Sequence, residues 1–162
     1  MSVELEQRIA ALEDRAAITD LMVRYAWGLD LPDWDLYGST LSDEIEVDLG
    51  DADLGLQTWS RETWCDFAAQ ALGRADAAQH LAANFWIELD GDRATCRSAL
   101  FAQSHLAGAP GGDERVHRGM YDCEVRRIDG EWRIAKLATR SWWMSGNKEM
   151  FPEATKTSGK AG

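Results

Sequence analysis

At 162 residues, 45% hydrophobic and 28% charged, the chain has the makings of one globular domain with its own core, and not of a disordered or fibrous protein. Its 28 acidic against 17 basic residues leave a net charge of −11, which repels phosphate backbones and anionic lipid surfaces, so neither nucleic acid nor membrane is expected as a partner. Eight tryptophans supply large apolar surfaces for a core, a subunit interface or a pocket.

The first thirty residues carry Leu5, Ile9, Leu12, Ile18, Leu21, Met22, Tyr25 and Leu29 at steps of three and four, which predicts helix. Asp14 ahead of Arg15-Ala16-Ala17-Ile18 reads as an N-cap, so two helices meeting near Glu13 are expected. Pro32 ends the run, because the residue before a proline is pushed out of helical geometry. Asp33 then caps a short helix from Trp34 to Leu41. Ile45, Val47 and Leu49 alternate with acids, as in a half-buried strand. Residues 50–55 read as a loop, and Ser60 caps a helix that bears Trp64, Phe67, Ala68, Ala71 and Leu72 and ends at Gly73.

From His80 the period changes to two. Leu81, Ala83, Phe85, Ile87 and Leu89 are expected on one face, and His80, Asn84 and Trp86 on the other. Asp90-Gly91 predicts a hairpin turn into a strand from Arg93 to about Leu106. A glycine-rich loop at 108–112 follows, then a strand from Val116 to Arg127, a second turn at Asp129-Gly130, and a returning strand from Trp132 to Trp143. Residues 1–147 form the expected domain, and 148–162 an exposed tail. Helices first and a meander of long strands afterwards indicate an α+β fold with helices on one face of a curved sheet.

Phosphate-binding glycine loops, the HExxH zinc motif and the nucleophile elbow are absent. Cys65, Cys96 and Cys123 are widely spaced and read as buried thiols of a reducing compartment. The N-terminus is charged throughout and lacks the apolar segment of a signal peptide, so a cytoplasmic location is expected. No metal and no cofactor are expected, since no paired ligand spacing occurs among His80, His105 and His117. His80, His105 and His117 each also read as ordinary strand residues, His117 as a surface one beside the glycine loop. Asp30 closes a helix whose C-terminal dipole disfavours a carboxylate, which suggests a cationic or protonated partner. Tyr25 lies on the buried stripe with a hydroxyl to satisfy, and Arg140 ends an apolar strand where it requires an anion. Together these are the parts for removing a proton beside a carbonyl: an imidazole base held by a carboxylate, donors for the enolate oxygen, and a second histidine for a leaving hydroxyl.

Asp14-Arg15-Ala16-Ala17-Ile18-Thr19-Asp20-Leu21, Arg24-Tyr25-Ala26, Asp30, Asp33-Trp34-Asp35, Gln79-His80-Leu81, Asp90-Gly91-Asp92, Gly119-Met120-Tyr121 and Asp129-Gly130-Glu131-Trp132 resemble SnoaL-like proteins of the NTF2-like superfamily. The resemblance spans roughly residues 8–147 and implies a cone: a curved, mixed, mostly antiparallel sheet whose hydrophobic pocket is closed by N-terminal helices. Members include scytalone dehydratase, bile acid dehydratase, a hexachlorocyclohexane dehydrochlorinase, steroid Δ-isomerase and polyketide cyclases. By resemblance, Asp30 and His80 occupy the positions of an Asp–His dyad, Tyr25 that of an assisting tyrosine and Arg140 that of a late-strand arginine. His105 resembles the second histidine of scytalone dehydratase. Tyr25 and Leu137 stand where the dehydrochlorinase has lysine and arginine, a departure that speaks against dehalogenation. Asn84, Trp27, Phe101, Tyr121 and Trp142 are candidate substrate contacts. The activity implied is a cofactor-independent dehydratase or hydratase acting on a small, bulky hydrophobic substrate of steroid or polyketide type. An isomerase or cyclase with the same base, and a non-catalytic pocket protein resembling dioxygenase small subunits, are the alternatives. Self-association is implied as well, as a homotrimer or alternatively a homodimer.

Overall fold

The structure, a computed structural model, describes residues 2–50 and 55–151. Three helices, α1 (Val3–Asp30), α2 (Trp34–Ser39) and α3 (Arg61–Leu72), cover one face of a six-stranded sheet. Its strands are β1 (Leu41–Asp48), β2 (Leu56–Ser60), β3 (Ala77–Asp90), β4 (Arg93–His105), β5 (Glu114–Ile128) and β6 (Glu131–Gly146), in the order β2-β1-β6-β5-β4-β3. β1 runs parallel to β6 and every other pair is antiparallel, so the sheet is mixed, as the resemblance implies. No described helix is long and apolar enough to cross a membrane.

The first helix is continuous and not broken at Glu13. Asp14 is no N-cap. Its carboxylate accepts from Arg127 Nη2 at 2.6 Å and from Trp132 Nε1 at 3.1 Å, fastening the middle of α1 to β5 and β6. The true cap is Ser2, and Leu31 closes the other end by donating its N–H to the Trp27 carbonyl. Asp33 and Ser60 cap α2 and α3 as their side chains predict, accepting from the N–H groups of Leu36 and Thr63. α2 is shorter than expected, because Leu41 already starts β1. β2 is a strand the sequence did not announce, and residues 51–54 of the expected loop lie outside the described residues.

The second hairpin turn is Asp129-Gly130 as expected, whereas in the first Asp90 still pairs with Arg93 and the two-residue loop is Gly91-Asp92, one residue later. Asp129 and Gly130 each have positive φ (51° and 83°), which a type I′ turn requires. β3 departs from its expected phase. Its register against β4 shifts between Ala83 and Trp86, and Asn84 there adopts φ 56°. A bulge adds one residue and reverses which side chains face the core. Ala78, His80 and Ala82 face inward before it, Phe85, Ile87 and Leu89 after it, while Leu81 and Trp86 are exposed. A similar shift opposite Arg118 and Gly119 leaves Trp142 as the extra residue of β6.

Beyond β6 the chain stays on the body as far as it is described. Asn147 donates to the carbonyls of Pro110 and Gly112 (2.9 and 2.8 Å), and Met150 and Phe151 are buried. The expected exposed tail is corrected at Met150 and Phe151, whose apolar side chains are buried, while Lys148 and Glu149 are exposed; residues 152–162 lie outside the described residues.

Candidate active site

Between the helices and the inner face of the sheet lies a cavity walled mainly by apolar groups, among them Leu29, Trp64, Phe67, Leu100, Leu137 and Phe151. Its polar lining comes from Tyr25, Tyr37, Tyr121, His80, His117, Ser104, Thr139, Arg115 and Lys148.

His80 enters this cavity because it precedes the β3 bulge and shares the inward phase of Ala78 and Ala82. Asp30 ends α1 beside it. One carboxylate oxygen accepts the His80 backbone N–H at 2.8 Å and the other lies 2.6 Å from its Nδ1. Both side chains are nearly sealed, with 9% of the histidine and 12% of the aspartate exposed. The backbone bond fixes the carboxylate, and the carboxylate fixes the imidazole: with Nδ1–H donated to Asp30, the lone pair of Nε2 is left for another partner. The cationic or protonated partner that Asp30 requires at its helix terminus is this ring.

Tyr25, one and a half turns earlier on α1, meets the Tyr37 ring at 5.2 Å and the Tyr121 ring at 5.7 Å between centroids. Trp64 Nε1 donates to the Tyr37 hydroxyl at 2.7 Å. Burial raises the pKa of all three phenols well above the usual tyrosine range, so each stays a neutral hydrogen-bond donor. The close approach of α1 and α2 that brings Tyr25 and Tyr37 together depends on Gly28, where a Cβ would lie 2.8 Å from the Tyr37 backbone.

A family model, SnoaL-like domain, matches residues 10–138. The chain belongs to the SnoaL-like family. No curated protein matches it. Among solved structures, the Kfla4162 protein of Kribbella flavida is 26% identical, with a TM-score of 0.82 over 88% of this chain and 99% of that one. A protein of Novosphingobium aromaticivorans assigned as a candidate scytalone dehydratase is 19% identical, with a TM-score of 0.75 over 85% of this chain and 89% of its own. The LinA-type3 hexachlorocyclohexane dehydrochlorinase of Novosphingobium barchaimii is 22% identical, with a TM-score of 0.74 over 87% and 94%. These likenesses bear out the SnoaL-like, NTF2-like fold.

Within this SnoaL-like frame the other expected site residues divide. Tyr25 and Tyr121 line the cavity; His105, Arg140, Asn84, Trp27, Phe101 and Trp142 do not. His105 is exposed at the end of β4, where the inward position belongs to its neighbour Ser104. Arg140 lies on the outer face and donates to Asp48 at 2.7 Å, so the anion it requires is a protein carboxylate. Asn84 is spent on the bulge, Trp27 points away from the core side of α1, and Trp142 is the exposed extra residue of β6. Phe101 lies on the outer face under the Arg118 guanidinium, 5.1 Å from its ring centre. Sequence reasoning missed Tyr37, Arg115, His117, Lys148 and Phe151. For His117 a signal existed: it stands four residues before Tyr121 on one strand, and period two puts both on the same face. Among the described residues no group of three His, Cys, Asp or Glu side chains converges in a way that would hold a metal ion.

Proposed function

We propose that this SnoaL-like protein is a cofactor-independent lyase that removes a proton beside a carbonyl and expels water from a bulky apolar ketone of steroid or polyketide type, or runs the reverse hydration. The observation that carries the reading is the 2.6 Å contact between Asp30 and His80 Nδ1 in the wall of a largely apolar cavity. An imidazole held by a carboxylate in an apolar wall, with its second nitrogen unclaimed by that carboxylate, is the arrangement a general base requires.

In this reading Asp30 is a positioning residue and the lone pair of His80 Nε2 is the base. The imidazolium formed by proton abstraction is stabilised by the carboxylate 2.6 Å away. Negative charge gathers on the substrate oxygen, where a neutral phenol is a well-matched donor. Tyr25 and Tyr121 supply that donor, with Tyr37 and Trp64 holding them in place. Apolar walls exclude water and strengthen these interactions. The same base serves an isomerase or cyclase, so product mass separates the two: loss of water denotes a lyase and unchanged mass an isomerase. The test is to incubate the purified protein with ring-bearing β-hydroxy ketones and analyse products by mass spectrometry. Conversion by the unaltered protein and its loss in His80→Asn support the reading; equal conversion by both overturns it.

The chain is further read as self-associating through the outer face of its sheet, where Leu81, Trp86, Trp142 and Trp143 are exposed, with a homotrimer preferred to a homodimer on the family resemblance alone.

A further inference from the structure

Elimination of water requires an acid as well as a base, and the histidine expected for that task, His105, lies outside the cavity. We propose that His117 is this acid: it faces His80 across one strand and hands its proton to the departing hydroxyl. The inference rests on the reading of His80 as the base and adds to it.

Three observations carry it. The first is strand register. His80 pairs with Ala102, Ala102 with His117, and His117 with Met144, so both histidines stand in a single cross-strand row on the inward face. Two strand spacings separate their backbones by about 9.5 Å. The residue between them is alanine, whose side chain ends at Cβ and leaves the space above it to a ligand. That spacing is of the order that a C–C–O unit with a hydrogen bond at either end would span.

The second is chemistry. Among the described residues lining the cavity, the ionisable ones are His80, His117, Arg115, Lys148 and three tyrosines. Arginine and lysine hold their protons too tightly to act as acids near neutral pH. The phenols are pushed in the same direction by burial. An imidazole titrates in the useful range, and His80 is already committed to the base role and to Asp30.

The third is enclosure. His117 Nε2 is buried, and the neighbouring row closes this end of the cavity: Ser104 pairs with Arg115, whose guanidinium lies 5.5 Å from the Phe151 ring centre and within 3.3 Å of Met144 Sδ. Burial at this position shields a donated proton from bulk water while substrate fills the cavity.

The step balances. His80 Nε2 takes the proton from the carbon beside the carbonyl, and the electron pair of that C–H bond moves into the enolate. As the enolate collapses, a C=C bond forms and the C–O bond to the β-hydroxyl breaks. His117, entering as imidazolium, protonates the departing oxygen to give water. The products are an enone and water, His80 leaves the step protonated and His117 neutral, and exchange with solvent restores both. No oxidant or reductant is needed.

The experiment separates proton removal from water loss. The probes are the acetone–benzaldehyde aldol, its cyclohexanone counterpart, and the acetate esters of both, whose carboxylate leaves without an acid. In deuterium oxide, deuterium uptake at the α-carbon of recovered ketone reports the base, and enone absorbance reports elimination. His117→Asn and His117→Gln should keep deuterium uptake, lose hydroxyl elimination by about a hundredfold or more, and eliminate acetate at the unaltered rate. His80→Asn should lose all three. Retained hydroxyl elimination in the His117 variants, or a parallel loss of deuterium uptake, overturns the acid role while leaving the base reading standing. Absence of both uptake and elimination in the unaltered protein overturns the base reading and this inference with it.

Discussion

The two faces of one sheet use the same strands to opposite ends. Along β4, the residues Cys96, Ser98, Leu100, Ala102 and Ser104 point inward, while Arg97, Ala99, Phe101 and Gln103 point outward. The inner face is enclosed, and burial there raises the pKa of its phenols and of its buried thiols. The Tyr25 ring packs against those of Tyr37 and Tyr121, His80 is joined to Asp30, and the Cys96 thiol is pushed up to about 11. The outer face is wet and its charges are paired at the surface: Arg97 with Asp122 at 3.0 Å, Arg140 with Asp48 at 2.7 Å, and Arg118 between the rings of Phe101 and Trp143. Similar residue types therefore differ in worth. An ion pair enclosed on the inner side fixes a tautomer, whereas one on the outer side contributes at most about 1 kcal/mol.

That contrast can be broken by substitution on each face in turn. The largest effect belongs to His80: His80→Ala should lower turnover of a β-hydroxy ketone by about 10³–10⁴, with thermal unfolding showing the fold retained. Asp30→Asn should cost about 10²–10³ in turnover, because the amide leaves the imidazole in the wrong tautomer without removing it. A smaller loss from Asp30→Asn than from an outer-face ion-pair variant would erase the distinction between the faces.

The buried phenols sharpen the comparison through stability. Their pKa values in the folded protein lie above the unfolded value of 10.0, so the unfolded chain sheds protons first as pH rises. Stability is complete below pH 10 and falls above it, by up to about 1.4 kcal/mol per pH unit for each of Tyr25, Tyr37 and Tyr121. Urea unfolding between pH 9 and 11, in the parent and in Tyr37→Phe, measures the slope. A parent slope no steeper than that of the variant would show that Tyr37 is not held neutral by burial.

On the outer face the effects shrink. Leu81→Lys and Trp86→Lys should weaken self-association, seen as a lower mass by sedimentation at micromolar concentration, while turnover per chain changes little. Arg140→Gln is expected to alter turnover less than twofold and stability by under about 1 kcal/mol. A large loss of turnover in Arg140→Gln would return that residue to the site from which its contact with Asp48 removes it.

Much of this is legible in the amino-acid sequence alone. The helical stripe ending at Asp30, the caps Asp33 and Ser60, and the turns at the two Asp-Gly pairs are local signals, each set by groups a few residues apart. The stripe is buried only from Ile18 to Leu29, Leu5, Ile9 and Leu12 being exposed, and the first turn lies one residue later than expected. Asp30 and His80 were also singled out, partly from residue chemistry and partly from resemblance to SnoaL-like proteins. His105 and His117 show where such reading stops. Both lie on strands, and choosing between them required the phase of each strand, which a single glycine loop or bulge alters.

What the sequence determined by itself is the order of helices and strands, the turns between them and the types of side chain on offer, because hydrophobic period, capping and turn chemistry act over short range. Tertiary structure alone decided which alternate residues face the cavity. The bulges at Asn84 and Trp142 reverse the facing of their strands, and a bulge arises from how one strand pairs with its neighbour. It likewise decided that β1 joins β6 in parallel and that Phe151 returns to close the cavity. Such contacts join residues distant in the chain, and no local pattern specifies them.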